Sequence, residues 1–324
     1  MNCRNCMRTP WNTPFIPQRA DPFVQQIGGR WYFTATIPSY DGIVLRCADT
    51  LEGLRTAAET EIWHAHDTGV MGAHIWAPEL HRLDGAWYIY FAAGEKEHCW
   101  RIRPWVLRCR DEDPVHGVWE ECGMMQPADD DPFSFQEFSL DMTVFGHAGK
   151  RYCVWAEKVS VSPMISNLYI AEMASPLKLQ TPQMLLTSPT YAWERHGYWV
   201  NEGPTVLRHG GRVYLTYSAS DTSAAYCMGL MWMNAEDDPM DISAWHKLNR
   251  PVLKTDAARG LFGPGHNTFF TDEAGQVYTA YHARSYDEIT GDPLCDPNRH
   301  AFIMKVDFDA GLPVFSTDNQ LFQE

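Results

Sequence analysis

Short runs of alternating apolar and polar residues recur along the whole chain, and pairs of these runs are separated by turns that contain glycine. Alternation with a period of two is typical of β-strands, and a glycine-containing turn between two such runs is typical of a β-hairpin. Five hairpins share one pattern: DPFVQQIGGRWYFTAT, APELHRLDGAWYIYFAA, LDMTVFGHAGKRYCVWAE, EGPTVLRHGGRVYLTYSAS and GHNTFFTDEAGQVYTAYHAR. No long run has the period of an amphipathic helix, so the pattern predicts an all-β protein.

The five hairpins form an internal repeat. Each carries a tyrosine at the same place in its second strand, and successive tyrosines are 56 to 64 residues apart: Tyr32, Tyr88, Tyr152, Tyr214 and Tyr278. Further strand-like runs lie between the hairpins, namely GIVLRCA, NLYIAEM, GLMWM and HAFIMKVDF. A regular repeat of this kind predicts a five-bladed β-propeller of four-stranded antiparallel blades. Residues 1–15 are predicted to be an N-terminal arm, and residues 16–324 a single propeller domain.

Acidic side chains recur at the start of the predicted inner strands. The first strand of every blade lines the central channel, so equivalent positions of different repeats converge on one axis. Asp21 and Asp141 lie 11 residues before their tyrosines, Glu202 and His266 lie 12 residues before theirs, and the second repeat has Ala77 at this place. We therefore expect three carboxylates and one histidine at a single mouth. The alternative is that Asp21 and Glu202 are ordinary turn residues at strand starts.

Asp141 favours the first interpretation because it interrupts the apolar strand FSLDMTVF. Burying an unpaired carboxylate is costly, so such a residue is expected beside a partner or a ligand cavity. One protonated and one ionised carboxyl group across a pocket are the groups that glycoside hydrolysis requires. A third carboxylate can raise the pKa of the acid by like-charge repulsion.

At these residues the chain resembles glycoside hydrolase family 43. The matching motifs run from the first repeat to the last strand: RADPF, IWAPEL, FSLDMTVF, WVNEGP, GPGHNTFF and DPNRHAFIMK. The resemblance implies a five-bladed propeller and a reaction that inverts anomeric configuration. It also implies that Asp21 is the general base, that Glu202 is the general acid, and that Asp141 tunes and orients this acid.

Within the family the chain is most similar to exo-acting α-L-arabinofuranosidases. The similarity lies in three segments: FTATIPSYDGIVLR, HIWAPELHRLDGAWYIYFAA and YAWERHGYWVNEGP. It implies that the substrate is arabinan or another arabinose-containing oligosaccharide. Four alternatives stay open: a β-xylosidase or an endo-arabinanase of the same family, a retaining five-bladed fructan or sucrose hydrolase, and a non-catalytic sugar-binding propeller. The retaining enzymes typically have Asn before the first acid, where this chain has Ala20.

Other residues near these motifs are candidates for binding. Trp76 and Tyr198 are predicted to face a sugar ring, although an aromatic residue at a strand start can equally belong to the core. Arg299 is predicted to donate hydrogen bonds to sugar hydroxyls, with a surface ion pair as the alternative. The resemblance implies that His266 lies beside a hydrated structural calcium ion on the propeller axis, the alternative being a hydrogen-bonded structural group. The chemistry itself is expected to need no cofactor.

Composition restricts the partners and gives an expected compartment. The formal net charge of −15 would repel nucleic acid. No apolar run approaches the roughly 18 residues that span a bilayer, and the first residues lack the apolar core of a signal peptide. Nine cysteines, an odd number, sit mostly alone in apolar contexts, and the single pair Cys3 and Cys6 reads as a reduced terminus rather than a metal site. We therefore expect a cytoplasmic protein with no membrane association; the sequence does not indicate its oligomeric state.

Overall fold

The computed structural model describes residues 13–159, 162–319 and 321. Cys3, Cys6 and most of the predicted N-terminal arm lie outside this part of the chain. Phe15 and Ile16 are both buried, and their backbone N–H groups donate to the carbonyl of Ala301. The chain is therefore already packed at the predicted boundary between arm and propeller.

Two four-stranded antiparallel sheets come first along the chain. Their strands are β1 (Ala20–Ile27), β2 (Arg30–Thr36), β3 (Gly42–Ala48), β4 (Thr60–His64), β5 (Ala73–Leu83), β6 (Ala86–Gly94), β7 (Arg103–Cys109) and β8 (Trp119–Met124). The spatial order is β1-β2-β3-β4 in the first sheet and β5-β6-β7-β8 in the second. Each strand thus pairs with its neighbour in sequence.

The next two strand groups are joined into a nine-stranded sheet. They are β9 (Ser139–His147), β10 (Lys150–Val159), β11 (Ile165–Ser175), β12 (Lys178–Leu179), β13 (Met184–Thr187), β14 (Trp199–His209), β15 (Arg212–Ala219), β16 (Cys227–Asn234) and β17 (His246–Lys247). A short parallel pairing of β11 with β14, through Ile165 opposite Trp199 and Ser166 opposite Val200, connects the groups. Every other pairing in this sheet is antiparallel.

The last strands are β18 (Phe262–Thr271), β19 (Val277–Arg284) and β20 (His300–Lys305), followed by the small hairpin of β21 (Asp307–Asp309) and β22 (Leu312–Val314). β18 packs against β1, and the Thr268 hydroxyl donates to the Pro22 carbonyl at 2.9 Å. The end of the chain therefore lies against its beginning. Helical structure among the described residues is limited to short 3₁₀ turns, and no helix there is long and apolar enough to cross a membrane.

The predicted all-β class is confirmed, and all five predicted hairpins form antiparallel pairs: β1 with β2, β5 with β6, β9 with β10, β14 with β15, and β18 with β19. The repeated tyrosines help to pack neighbouring hairpins together. Tyr32, for example, contacts Trp87 of the second hairpin with ring centroids 5.0 Å apart. Burial of such aromatic rings accounts for much of the free energy that holds adjacent sheets together.

One backbone feature repeats in the first strand of all five hairpins. Each has a register shift and, within it, one residue with positive φ: Asp21 (51°), Ala77 (48°), Asp141 (56°), Gly203 (53°) and His266 (46°). A residue other than glycine adopts this left-handed conformation at an energetic cost, and such strain often marks a functional site. The five positions are therefore the natural starting point for the site.

Candidate active site

The left-handed residues of three different hairpins meet at one point. The Nδ1 atom of His266 lies 3.3 Å from Oδ1 of Asp21 and 3.7 Å from Oδ2 of Asp141. Gly203 belongs to the same cluster, because its N–H donates to Oδ2 of Asp141 at 3.0 Å. The structure thus brings Asp21, Asp141 and His266 together and places Glu202 one residue from the hydrogen bond that joins two of the strands.

The repeat alignment was wrong at Glu202. It paired Glu202 with His266, whereas the residue in the left-handed position of β14 is Gly203. Glu202 precedes that position, so its carboxyl group leaves the backbone from a different point than those of Asp21 and Asp141. The register shift between Glu202 and Thr205 is the reason, since counting residues cannot locate a bulge.

Asp21 has the densest set of polar partners. The Thr36 hydroxyl donates to its Oδ2 at 2.6 Å, and the same hydroxyl accepts the N–H of Ala77 at 2.7 Å. On the other side, Nη1 of Arg299 lies 3.5 Å from Oδ1. Hydroxyl, guanidinium and imidazole groups therefore all face one carboxylate.

These partners determine the ionisation of Asp21. Burial by itself would raise its pKa, but the charges of His266 and Arg299 and a hydrogen bond with His282 outweigh burial and hold the pKa far below its usual range. Nδ1 of His282 lies 3.1 Å from both the backbone N and Oδ1 of Asp21. Burial lowers the pKa of His282 to about 3, so this ring is neutral at neutral pH while Asp21 is ionised.

Asp141 occupies the same backbone position but has the opposite electrostatics. Burial, reinforced by the nearby carboxylates of Glu202 and Asp21, raises its pKa to about 8 against the opposing effect of His266. The Gly203 N–H is the backbone donor that it accepts. A carboxyl group in this setting retains its proton well above the ordinary range of aspartate.

Glu202 is half-buried, and its Oε1 accepts a hydrogen bond of 2.8 Å from the Tyr226 hydroxyl. Burial raises its pKa even though the Tyr226 hydrogen bond and the His266 charge act to lower it. Asp141 and Glu202 each resist ionisation of the other. The cluster therefore combines a carboxylate that is ionised, Asp21, with a pair that holds a proton at neutral pH.

Gly203 is required by its surroundings as well as by its φ. A Cβ atom at this residue would lie 3.0 Å from Cγ of the His266 ring. The absence of a side chain lets the backbone of β14 approach the imidazole and donate to Asp141. A glycine between the acid and the next strand is thus part of the site geometry.

Arg299 is buried, so the alternative of a surface ion pair is wrong. Its Nη2 donates to the Tyr40 hydroxyl at 2.9 Å, and its Nη1 faces Asp21. The Tyr40 hydroxyl in turn donates to the carbonyl of Leu294. Arg299 therefore connects the carboxylate of β1 with the loop before β20.

The two predicted aromatic binding residues lie in different settings. Trp76 is largely buried in an aromatic cluster, stacked on His74 with centroids 4.4 Å apart and edge-on to Tyr40 at 5.6 Å. Its indole Nε1 is buried without a hydrogen-bond partner among the described residues. Tyr198 is 70% exposed, and no hydrogen bond or ring contact of the described residues joins it to the acids.

An aromatic rim beside the acids was missed in the sequence. Trp100 is 54% exposed and packs against His74 and Phe138, with centroids 4.7 Å and 6.4 Å away. The Lys158 ammonium lies 3.8 Å from the centroid of the Phe138 ring, and its charge is felt by Glu202. Trp100 lies in a loop between β6 and β7 and carries no repeat signal. Phe138, which directly precedes the strand of Asp141, was the one detectable sign.

The residues around His266 do not form a metal-binding cage of their own. Within the described ranges, no group of three or more His, Cys, Asp or Glu side chains is arranged to hold an ion. Calcium prefers six to eight oxygen ligands, and Nδ1 of His266 is already directed at two carboxylates. A hydrated ion that met the protein through one histidine would not need such a group, so the structural calcium ion stays a prediction.

Comparison with known proteins gives a consistent family. The family model described as "Glycosyl hydrolases family 43" matches residues 11–313. An extracellular exo-α-(1→5)-L-arabinofuranosidase of Streptomyces avermitilis is 46% identical over 308 residues, and one of Streptomyces chartreusis is 49% identical over 286 residues. The alignments cover 94% and 88% of this chain. The chain spans 63% of the length of the first relative and 85% of the second.

Solved structures agree. An α-L-arabinofuranosidase from Lactobacillus brevis superimposes with a TM-score of 0.88 at 41% identity, with 94% of this chain and 95% of the other covered. A thermostable family-43 glycoside hydrolase has a TM-score of 0.73 at 21% identity, with 94% of each chain covered, and that likeness shows the fold alone.

The expectation of a cytoplasmic protein is contradicted by the names of the two Streptomyces relatives, both described as extracellular. The expectation depended partly on the cysteines. All seven cysteines of the described residues are free, but a sheet core of this size does not require disulfides for stability. Reduced cysteines therefore did not report the compartment.

Proposed function

The chain belongs to glycosyl hydrolase family 43, and we propose that it removes terminal α-L-arabinofuranosyl residues from arabinan and arabino-oligosaccharides with inversion of configuration. One observation carries this proposal: three carboxyl groups meet beside His266 with pKa values displaced in opposite directions. The similarity to exo-acting arabinofuranosidases supports the sugar and the exo mode.

In the proposed reaction Asp21 is the general base. Its low pKa keeps it ionised, so it can accept a proton from a water molecule as the water oxygen attacks the anomeric carbon. Glu202 is the general acid and transfers its proton to the glycosidic oxygen as the carbon–oxygen bond breaks. The products are one arabinose, with the new hydroxyl on the opposite face of the ring, and a shortened oligosaccharide.

Asp141 is proposed to keep Glu202 in its acidic form. Its raised pKa and its coupling with Glu202 mean that ionisation of either group disfavours ionisation of the other. The Gly203 N–H fixes Asp141 relative to the strand of the acid. This arrangement is a way to hold a carboxylic acid protonated near neutral pH.

We further propose that the strand groups are five blades around one axis, and that they form a single domain over residues 16–324. The support comes from the left-handed position repeated in five first strands and from the contact of β18 with β1. Equivalent strands that meet at one cluster of side chains are the arrangement that a propeller produces.

Substrate contacts are proposed for three residues. The buried Nε1 of Trp76 has no protein partner and could donate to a sugar hydroxyl that enters the site. Arg299 would hold Asp21 and present its remaining N–H groups to the sugar. Tyr198 is exposed and would contact the more distant part of an oligosaccharide.

The product profile on linear arabinan tests the proposed activity. We expect free arabinose to be released from the first minutes, because an exo enzyme removes one terminal residue at a time. A parallel assay on aryl β-xyloside and aryl β-galactoside should give far lower rates. Early release of mid-length oligomers would indicate an endo-arabinanase, and a dominant xyloside activity would indicate a xylosidase; either would overturn the proposal.

A further inference from the structure

Tyr226 links the candidate acid to the candidate base. Its side chain is 1% exposed, and its hydroxyl donates to Oε1 of Glu202 at 2.8 Å. Its ring stacks on His282 with centroids 5.5 Å apart and an interplanar angle of 10°. Because Nδ1 of His282 contacts Asp21, one pair of stacked rings spans the distance between the two reacting carboxyl groups.

The protein provides a fitted position for this ring. A Cβ atom at Gly265 would lie 2.4 Å from the Tyr226 ring and 2.9 Å from Oγ of Ser218. Only glycine at residue 265 therefore allows the ring and the serine hydroxyl to occupy these places together. The position of the Tyr226 hydroxyl is consequently determined by packing and not only by its hydrogen bond.

The neighbouring hydrogen bonds give the Tyr226 hydroxyl a direction. The His266 N–H donates to Oγ of Ser218 at 2.7 Å, so the hydrogen of that serine hydroxyl is available for another acceptor. Ser218 makes a side-chain hydrogen bond with Tyr226. If Ser218 donates to the phenol oxygen, the phenol hydrogen is left for Glu202, and the chain runs from His266 through Ser218 and Tyr226 to the acid.

We propose that Tyr226 is a positioning residue that determines which oxygen of Glu202 carries the transferable proton. This inference rests on the proposed role of Glu202 as general acid. Oε1 accepts from Tyr226, so the acidic proton resides on Oε2 and is directed to the glycosidic oxygen. When Oε2 has given up that proton, the Tyr226 hydrogen bond to Oε1 stabilises the carboxylate that has formed.

Removal of the hydroxyl has a defined effect on the acid. The Tyr226 hydrogen bond favours the ionised form of Glu202, so its loss raises the pKa of Glu202 and moves the alkaline limb of activity to higher pH. The other charged groups that act on Glu202 are unchanged in such a variant: Asp21, Asp141, Lys158 and His266.

The test compares Tyr226→Phe with Tyr281→Phe. Tyr281 is also fully buried, but its hydroxyl has no hydrogen-bond partner among the described residues, so it controls for loss of a buried phenol oxygen. For Tyr226→Phe we expect kcat on an arabino-oligosaccharide to fall about 10- to 100-fold, the factor for one hydrogen bond to a charged group. Activity on a 4-nitrophenyl arabinofuranoside should fall much less, and the alkaline limb should move upward. Tyr281→Phe should match wild type in all three.

Replacement of Tyr226 by a fluorinated tyrosine gives a test of opposite sign that preserves the ring. The fluorinated phenol is a stronger hydrogen-bond donor, so the alkaline limb should move to lower pH. If neither replacement at residue 226 moves that limb, or if Tyr226→Phe impairs both substrates equally, the inference is wrong. Glu202→Gln in the same assays distinguishes the two proposals: if it too shows no dependence on the leaving group, the role of Glu202 fails, and with it the basis of the inference.

Discussion

Asp21 and Asp141 share a backbone conformation and differ in every other respect that matters for chemistry. Asp21 faces Arg299 and the Thr36 hydroxyl, so burial does not prevent its ionisation. Asp141 faces other carboxyl groups, so burial raises its pKa to about 8. The difference arises from neighbours that come from other strands, and it divides the two residues between a base and a group that modulates an acid.

The roles of Glu202 and Asp21 can be separated by leaving-group quality. Glu202→Ala should lose roughly 10²- to 10⁴-fold on arabino-oligosaccharides, because a sugar alkoxide must be protonated as it leaves. It should lose much less on a nitrophenyl arabinoside, whose leaving group needs no proton. Asp21→Ala removes activation of the water, which both substrates need, so both rates should fall severely. Steady-state kinetics on the two substrates would contradict these roles if Glu202→Ala impaired both equally or if Asp21→Ala spared the nitrophenyl substrate.

Asp141→Asn tests how the proton is held on the acid. The variant keeps the size of the side chain but removes a negative charge beside Glu202, so the pKa of Glu202 should fall. Because activity requires protonated Glu202, the alkaline limb should move to lower pH, with a loss of rate. Asp84→Asn removes a charge from an exposed ion pair with Arg151 and should leave the pH profile unchanged. An unmoved limb in Asp141→Asn would show that this charge does not control the acid.

At the scale of single elements, the repeated first strand explains both what the sequence revealed and what it concealed. Alternation located all five hairpins, and counting from the tyrosines placed Asp21 and Asp141 at equivalent positions, which the positive φ values of both residues bear out. Counting failed at Glu202 because a bulge changes the number of residues without changing the pattern. Tyr226 was missed because it lies in a loop before β16, where no periodicity exists.

Gly203 provides a test of this element. Gly203→Ala places a Cβ atom in the left-handed conformation and 3.0 Å from the His266 ring. Gly149→Ala, in the turn between β9 and β10, places one at a φ of 79° with no atom within 4 Å. Both should be destabilised by about 1–2 kcal/mol in thermal unfolding because of backbone strain. Only Gly203→Ala should also lose activity, roughly 10- to 100-fold, since Asp141 and His266 are displaced. Equal activity of the two variants would show that the close approach at Gly203 is not needed.

At the scale of the whole molecule, the sequence predicted the class and the family but not how the strand groups associate. The parallel pairing of β11 with β14 joins two groups into one nine-stranded sheet, and two residues on each strand, too few to leave a pattern, carry this pairing. Arg299 reads as an ordinary surface cation, yet the fold buries it against Asp21 of the first hairpin. Contacts between residues nearly 280 positions apart depend on the complete fold and have no local signature.

The stereochemistry of hydrolysis tests the central claim most directly. If Asp21 activates a water molecule while Glu202 protonates the leaving oxygen, hydrolysis of an α-L-arabinofuranoside must first give the β-anomer of arabinose. Proton NMR during the first minutes of the reaction, before the anomers equilibrate, distinguishes the two products. The account predicts the β-anomer. First appearance of the α-anomer would show that a carboxylate acts as a nucleophile and would contradict the assignment of Asp21 as the base.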